Sequence, residues 1–273
     1  MQDAGQPRKS LAAGPRSAMR ISCRRSPPRY PDPMLPVPPF HPPDAASTAA
    51  FVVLVLVVAG LGVAGVASGS ARSGADGVVV RRRGVGAGVF AAIWLGLTAL
   101  APASGLVGAA PAAMMAFFVG SNAFGLGVAL SRAGRWLANL PLAALVGFHA
   151  FRLPLEIILH RWALQGSIPI DMSWSGRNYD VVTGLAAVVA CGWLVARPGD
   201  RFVAGGFTAL GLGLLLNVAR VALSCAPVAL PIHVDCDPPL LLALHAPYAW
   251  IVSVCVAGAL CAHVVALRSL ASR

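Results

Sequence analysis

Four residues in the middle of the chain have the types and the spacing that chemistry inside a membrane requires. His149, Arg152, Glu156 and His160 follow one another at intervals of three, four and four residues. On an α-helix they fall within about 80° of one another, so they form one polar stripe on an otherwise apolar segment. Glu156 is the only glutamate of the chain, and Arg152 lies one helical turn before it. The spacing predicts a coupled Arg152–Glu156 pair, either within a substrate or proton site or as a structural pair that holds helices together.

Two later segments carry polar residues that would share this depth if the helices pack together. Asn217 and Arg220 lie on one helix face, and His245 precedes the last apolar stretch. One carboxylate facing two arginines suits an anionic ligand or a lipid headgroup. The alternative is that Arg220 extends to the outer interface and His245 caps its helix.

A polar loop of about twenty residues follows the fourth apolar stretch. Its charged and amide residues could face the same outer cavity, or the loop could simply cover the bundle as a surface or re-entrant segment. The candidate residues are Asp171, Arg177, Asn178 and Asp180.

The cysteines permit one disulfide and do not support a metal centre. Cys225 and Cys236 lie in a loop on the side that we predict to be oxidising, where they can pair. Cys191, Cys255 and Cys261 lie in apolar stretches and are typical of small buried residues. The chain has no CxxC, HExxH, P-loop or GxSxG motif, so we expect neither a metal nor a nucleotide or other cofactor.

The elements that must position these residues are membrane-spanning helices. The 273 residues are 57% hydrophobic and only 11% charged, with a mean hydropathy of +0.74. A soluble domain would carry about a quarter charged residues, so that class is excluded. The net charge of +11 does not indicate a nucleic-acid partner, because the arginines lie between apolar runs. We therefore predict an all-α fold, a polytopic transmembrane helix bundle whose partner is the lipid bilayer.

Seven apolar stretches are long enough to cross a bilayer, and the second and third are the least clearly divided because Gly and Ala dominate there. The predicted spans are 48–69, 86–105, 109–131, 137–160, 181–197, 202–225 and 240–266.

The basic residues of the short loops predict the orientation. Ten of them collect on one side, against only Arg161 and Arg177 on the other. Positive loops stay inside, so we predict the cytoplasmic membrane of a bacterium, with the N-terminus out and the C-terminus in. The ten are Arg72, Arg81, Arg82, Arg83, Arg132, Arg135, Arg197, Arg201, Arg268 and Arg273.

Residues 1–46 differ from the transmembrane domain that we assign to 47–273. They hold 11 of the 22 prolines and seven basic residues without apolar periodicity, which predicts a disordered tail. Those charges would lie outside and contradict the orientation, unless translation starts at Met34. A secretory signal is disfavoured, because the apolar run 49–66 is longer than a usual signal core.

From His149 onward, over about residues 149–270, the chain resembles an uncharacterised family of bacterial multi-pass membrane proteins. The resemblance rests on the sequences FRLPLE at 151–156, MSWSGRNYD at 172–180 with the following Thr183-Gly184, and HVVALR at 263–268. It implies a coherent site and names no reaction. A weaker likeness is to exosortase-type membrane transpeptidases, which use Cys, Arg and His. Cys191, Arg220 and His245 occur in that order, but the motif around the nucleophile is missing.

Three hypotheses for function stay open at this level. The first is a non-enzymatic membrane protein that handles a small solute, a lipid headgroup or a proton at an outer-facing polar cavity. The second is a membrane-embedded enzyme that uses Glu156 with His149 or His245 as acid and base. The third is a structural or accessory membrane subunit. The oligomeric state is left open.

Overall fold

The computed structural model describes residues 39–228 and 230–272, which form helices and no strands, as predicted. A 3₁₀ turn, Phe148–Phe151, joins α5 to α6, and a π-helical turn, Ile251–Val256, leads into α9. The α-helices are α1 Ala45–Arg72, α2 Gly77–Ala103, α3 Pro111–Leu130, α4 Arg132–Leu137, α5 Leu142–Gly147, α6 Arg152–Leu164, α7 Val181–Ala196, α8 Arg201–Ser224 and α9 Ala257–Ser272.

Among these described residues, six helical segments are long and apolar enough to cross a membrane. They are α1, α2, α3, the α5–α6 segment Leu142–Leu164, α8 and the segment Ile251–Ser272. The fifth predicted span, 181–197, corresponds to α7, which is apolar but has only 16 residues. The all-α bundle is therefore confirmed, and one of its apolar helices is shorter than a usual span.

Several predicted boundaries are wrong by up to about three turns. α2 begins at Gly77 instead of 86, where the Asp76 carboxylate accepts a hydrogen bond of 2.9 Å from the Val79 N–H. Arg81, Arg82 and Arg83 therefore lie in the helix and not in a loop, because long arginine side chains allow a helix to continue past the apolar region. The last span begins at 251 instead of 240, since Pro238, Pro239 and Pro247 cannot donate backbone hydrogen bonds.

Successive helices alternate in direction, which places Arg72, Arg132, Arg197 and Arg268 at one end of the bundle. The turns after α1, α3 and α7 and the end of α9 share this end, which we call the basic end. Arginine side chains join its elements: Arg268 donates to the Ala129 carbonyl, and Arg201 donates to the Leu270 carbonyl.

Two apolar cores hold the helices together. One joins α1, α6 and α8 to the residues around the π turn, with Phe51, Trp162 and Leu242 at its centre. The other joins α5, α7, α8 and α9 nearer the basic end, around Val146 and Ala204. The polar side chains of α6 lie between these cores, so they are enclosed by protein.

At the opposite end, which we call the loop end, the described part of the predicted tail packs against the bundle. Asp44 caps α1 and accepts hydrogen bonds from the Ser47 backbone N–H, 3.0 Å, and from Arg161 Nε, 3.0 Å. Gln165 donates to the same carboxylate. These donors, chiefly Ser47 and then Gln165, lower the pKa of Asp44. Residues 39–46 thus include an ordered cap, while residues 1–38, with Met34, lie outside the described part of the chain.

Candidate functional site

The centre of the α5–α6 segment carries two charged residues that are buried. Arg152 and Glu156 are each 1% exposed. Arg152 Nη1 forms an ion pair with the Asp180 carboxylate. Asn178 donates its side-chain amide to the two carboxylate oxygens of Glu156, at 3.0 and 3.2 Å. A charge at this depth must be paired, and a loop supplies both partners.

That loop, residues 165–180, folds back into the bundle between α6 and α7. Met172 and Asn178 are buried, and the Asn178 amide also donates to the Met172 carbonyl at 3.1 Å. The Asp180 N–H donates to Asn178 Oδ1 at 3.0 Å, which fixes the position of Asp180 at the start of α7. Gly184 allows α7 to approach α6, because a Cβ there would lie 2.9 Å from the Leu153 backbone nitrogen. α7 is short because this loop occupies the depth that another turn of helix would cross.

Two buried histidines stack on each other beside Arg152. The rings of His149, in the 3₁₀ turn, and His263, in α9, have centroids 3.9 Å apart and planes inclined by 24°. Phe207 packs against both rings. Gly211 of α8 makes room for His263, since a Cβ there would lie 2.3 Å from its Cε1 atom. Both histidines are fully buried.

These elements form one cluster, which we call the buried polar cluster. The Arg152 guanidinium lies within electrostatic range of Asp180, Glu156 and both imidazoles. Its members are His149, Arg152, Glu156, Asn178, Asp180 and His263.

Several buried polar atoms of this region have no hydrogen-bond partner among the residues that the structure describes. They include both ring nitrogens of His149, both of His263, and Arg152 Nη2. The Thr183 hydroxyl, one turn after Asp180 and fully buried, is a further such atom. Buried polar groups are normally satisfied, and each unsatisfied one costs about 1–3 kcal/mol.

The arrangement does not suit a metal ion. The two imidazoles stack face to face, so their lone pairs do not converge on one point, and Arg152 adds a positive charge beside them. At the loop end, Asp171 lies close to Cys225 and Cys236. These cysteines are joined in a disulfide, so neither offers a thiolate ligand.

Arg152 and Glu156 each take their closest polar partner from the loop and not from each other. The ion-pair partner of Arg152 is Asp180, and the hydrogen-bond partner of Glu156 is Asn178. The physical reason is that the loop inserts two groups with better geometry than the neighbouring turn of the same helix offers. Arg152 and Glu156 still interact electrostatically.

Asn217 and Arg220 belong to a second group, at the loop end. The Asn217 amide donates to the Arg177 carbonyl at 2.8 Å, and Arg220 Nη2 donates to Asn217 Oδ1 at 3.0 Å. Arg177 Nε binds Asp171 at 2.6 Å, and its Nη2 lies 3.6 Å from the Cys225 sulfur. This group supports the re-entrant loop from outside and does not include Glu156.

The other two histidines singled out in the sequence lie apart from the cluster. His245 stacks on Phe40 with ring centroids 4.1 Å apart, and partial burial lowers the pKa of His245. His160 stacks on Trp174, 4.2 Å between centroids, near the end of α6. The predicted stripe of α6 is therefore divided between a buried half and a half at the loop end.

His263 and Thr183 complete the neighbourhood without having been singled out as site residues. The predicted span 240–266 has His263 near its end, whereas the observed segment 251–272 has it near the middle. Both residues lie within the sequences that carry the family resemblance, which was the one available signal. Cys191 does not approach Arg220: α7 and α8 are antiparallel, and the two residues differ in depth by about 21 Å at 1.5 Å per residue.

No family model, curated protein or solved structure matches this chain.

Proposed function

We propose that this chain is a multi-pass protein of the bacterial cytoplasmic membrane that binds and exchanges a proton at the buried polar cluster. The observation that carries the proposal is the set of unpartnered nitrogens of His149, His263 and Arg152 beside two carboxylates. The resemblance to an uncharacterised membrane-protein family stays a prediction and contributes no reaction.

A proton fits the cluster better than a solute or a lipid headgroup does. Every member of the cluster is at most 5% exposed, so the groups pack against one another with the site closed on all sides. A proton needs only a lone pair. A neutral imidazole has one free ring nitrogen to accept it, and histidine is the side chain that most readily changes charge near neutral pH.

The charges of the cluster also favour an exchangeable proton. Arg152 balances the carboxylate of Asp180. If Glu156 is ionised, the cluster holds one negative charge that no described cation neutralises at hydrogen-bond distance. An unbalanced charge at membrane depth costs several kcal/mol, and one bound proton removes it. The carboxylate and the two imidazoles then offer alternative positions for that proton.

A purely structural role explains the ion pair but not the histidines. A structural network gains stability when every member is hydrogen bonded, and partial satisfaction is less stable than apolar packing. Phe or Leu in place of His149 and His263 would fill the same space without unpaired nitrogens. The presence of two such rings beside Arg152 favours a role in which their protonation matters.

The orientation that we propose, with the N-terminus out, follows from the basic end of the bundle. Arginines at the ends of α1, α3 and α7, in the second turn of α2 and in the first turn of α8 lie at this end. The disulfide lies at the loop end, which agrees with an oxidising exterior.

Infrared difference spectroscopy on the purified protein in lipid nanodiscs tests the proton site. Between about pH 5 and about pH 9, we expect a carboxylic-acid carbonyl band that Glu156→Gln abolishes and that His149→Phe shifts. His160→Phe is the matched control, because this ring lies outside the cluster, and it should leave the band unchanged.

Two outcomes contradict the proposal. A folded protein with no pH-dependent carboxyl or imidazole signal from the cluster would make the network structural. A signal that His160→Phe removes, and that Glu156→Gln and His149→Phe leave intact, would place proton binding at the loop end.

A further inference from the structure

A large apolar cavity lies between the helix pair α1–α2 and the helix pair α3–α9. Its volume is about 1150 Å³. α2 packs along α1 and α3 packs along α9, while the rings of Phe90, Trp94 and Phe124 bridge α2 and α3. The walls are almost wholly apolar, with Val58, Leu137 and Val265 among them. None of the six members of the buried polar cluster lines it.

The cavity extends over about the depth of one membrane leaflet. Along α2 its lining runs from Arg83 to Leu95, twelve steps of the helix or about 18 Å. Half of a hydrocarbon core of about 30 Å is about 15 Å. The far end is closed by two hydrogen bonds, from Trp94 Nε1 to the Ser253 carbonyl at 2.9 Å and from Trp250 Nε1 to the Leu95 carbonyl at 3.0 Å.

The end of the cavity nearer the basic end of the bundle carries a cation with an unused donor. Arg83 lines the cavity, and its Cζ atom lies 4.2 Å above the centroid of the Trp136 ring. Its Nη1 atom is buried and has no hydrogen-bond partner among residues 39–228 and 230–272. Arg81 and Arg82 precede it and are exposed. A guanidinium with a free donor at the mouth of an apolar cavity matches a phosphate group attached to hydrocarbon chains.

We propose that the cavity binds one anionic phospholipid from the adjacent leaflet, with its phosphate at Arg83 and its acyl chains between α1–α2 and α3–α9. Trp136 orients the guanidinium through its ring face and sits at the interfacial level where tryptophan is enriched. The small residues Gly62, Gly86 and Gly127 line the walls, and a Cβ at any of them would meet nothing within 4 Å. The space is therefore open to an acyl chain instead of being used for close helix packing.

Native mass spectrometry of the detergent-purified chain tests this site, with phosphatidylglycerol and phosphatidylcholine of identical acyl chains as probes. We expect the wild type to bind the anionic lipid about tenfold more tightly, because the choline cation of phosphatidylcholine offsets the attraction between its phosphate and Arg83. Arg83→Gln should remove this preference. Arg82→Gln is the matched control, because Arg82 is adjacent in sequence but does not line the cavity, and this variant should keep the preference.

Filling the cavity tests the position of the acyl chains. Gly86→Leu should weaken binding of both lipids about tenfold or more, whereas Gly88→Leu should not, because Gly88 is equally unobstructed but lies outside the lining. If Gly86→Leu does not fold, Gly62→Leu repeats the test from the opposite wall. Its control is Gly60→Leu, because Gly60 does not line the cavity.

Equal affinity of the wild type for the two lipids would overturn the proposal, as would an equal effect of Arg82→Gln and Arg83→Gln. If the filling variants leave lipid binding unchanged, the chains do not lie in this cavity. If the filling variants break an oligomer without displacing lipid, the occupant of the cavity is a helix of a second copy of this chain.

Discussion

The α5–α6 segment and α2 are both apolar helices long enough to span a membrane, yet the bundle uses them in opposite ways. In the most apolar window of the α5–α6 segment 56% of the residues are buried, against 6% for α2. The first holds buried charged residues on two central turns, Arg152 and Glu156, and the second holds its three arginines only near one end. Membrane helices can carry charge at depth when protein encloses it on every side. A helix that protein does not enclose keeps its charges at the interface and faces lipid.

Replacing Arg152 should produce the largest effect, because it removes a charge partner from the enclosed α5–α6 segment. Arg152→Gln leaves Asp180 buried without its cation, and we expect a loss of about 3–5 kcal/mol in the free energy of unfolding. The double variant Arg152→Gln/Asp180→Asn should lose less than the sum of the two single variants, because neither charge is then orphaned.

Chemical denaturation in mixed micelles measures these changes. Arg161→Gln is the control, because its ion pair with Asp44 is more than half exposed on the arginine side, and it should cost less than about 1 kcal/mol. Strict additivity of the two single substitutions would show that Arg152 and Asp180 do not interact.

A methyl group at Gly211 should have the next largest effect. The added Cβ would overlap the His263 ring, which is held between His149 and Phe207, so we expect about 1–3 kcal/mol of destabilisation. Gly213→Ala is the matched control on the same helix, since a Cβ there meets nothing within 4 Å. If thermal unfolding shows the same change in stability for Gly211→Ala and Gly213→Ala, the packing of the His263 ring against Gly211 is contradicted.

A glycine-to-alanine substitution on an exposed helix face should change the free energy of unfolding less than Gly211→Ala does, and in the opposite direction. Gly120 lies in α3, where a Cβ has nothing within 4 Å. Gly120→Ala should therefore stabilise the chain by at most about 1 kcal/mol, through helix propensity alone. A clear loss of stability in the same thermal assay would mean that this face of α3 is covered in the membrane. The contrast between enclosed and exposed helices would then not apply to α3.

The smallest effect concerns the cap that fastens α1 to the loop end. The pKa of Asp44 is lowered by its bonds to Ser47 and Gln165, so its stabilising contribution is present above the ordinary pKa of aspartate. The contribution is lost as the pH falls below about 4 toward the folded pKa. The thermal midpoint of the wild type should decline over this range slightly more steeply than that of Asp44→Asn. If the thermal midpoints of the wild type and Asp44→Asn fall in parallel as the pH is lowered, Asp44 does not contribute to the loss of stability in acid.

Much of the bundle could be predicted because membrane insertion depends on local composition. The windows of the third, fifth and sixth spans agree with α3, α7 and α8 to within two residues. The errors fall where composition and hydrogen bonding disagree. Arg81–Arg83 look like a loop by charge but continue α2, and residues 240–250 look like a span by hydropathy but contain Pro247 and a 3₁₀ turn.

The candidate site could be predicted only in part. Arg152 and Glu156 stand out because charge is rare in an apolar helix, and Asn178 and Asp180 stand out because their loop is polar. Their pairing could not be predicted, because Arg152 and Asp180 are 28 residues apart in sequence. Asn217 and Arg220 have the right helix spacing, but they face Arg177 at the loop end instead of Glu156.

Composition and periodicity are sufficient to indicate a bundle of apolar helices and to single out the helix that contains Arg152 and Glu156. Hydropathy acts over windows of about twenty residues, and one polar stripe within such a window is visible without any partner. Which polar groups contact one another depends on how the helices pack. The depth to which loop 165–180 re-enters, and the register that brings His263 of α9 against His149, depend on contacts between segments far apart in the chain. No local pattern encodes such contacts, because they depend on how whole helices pack.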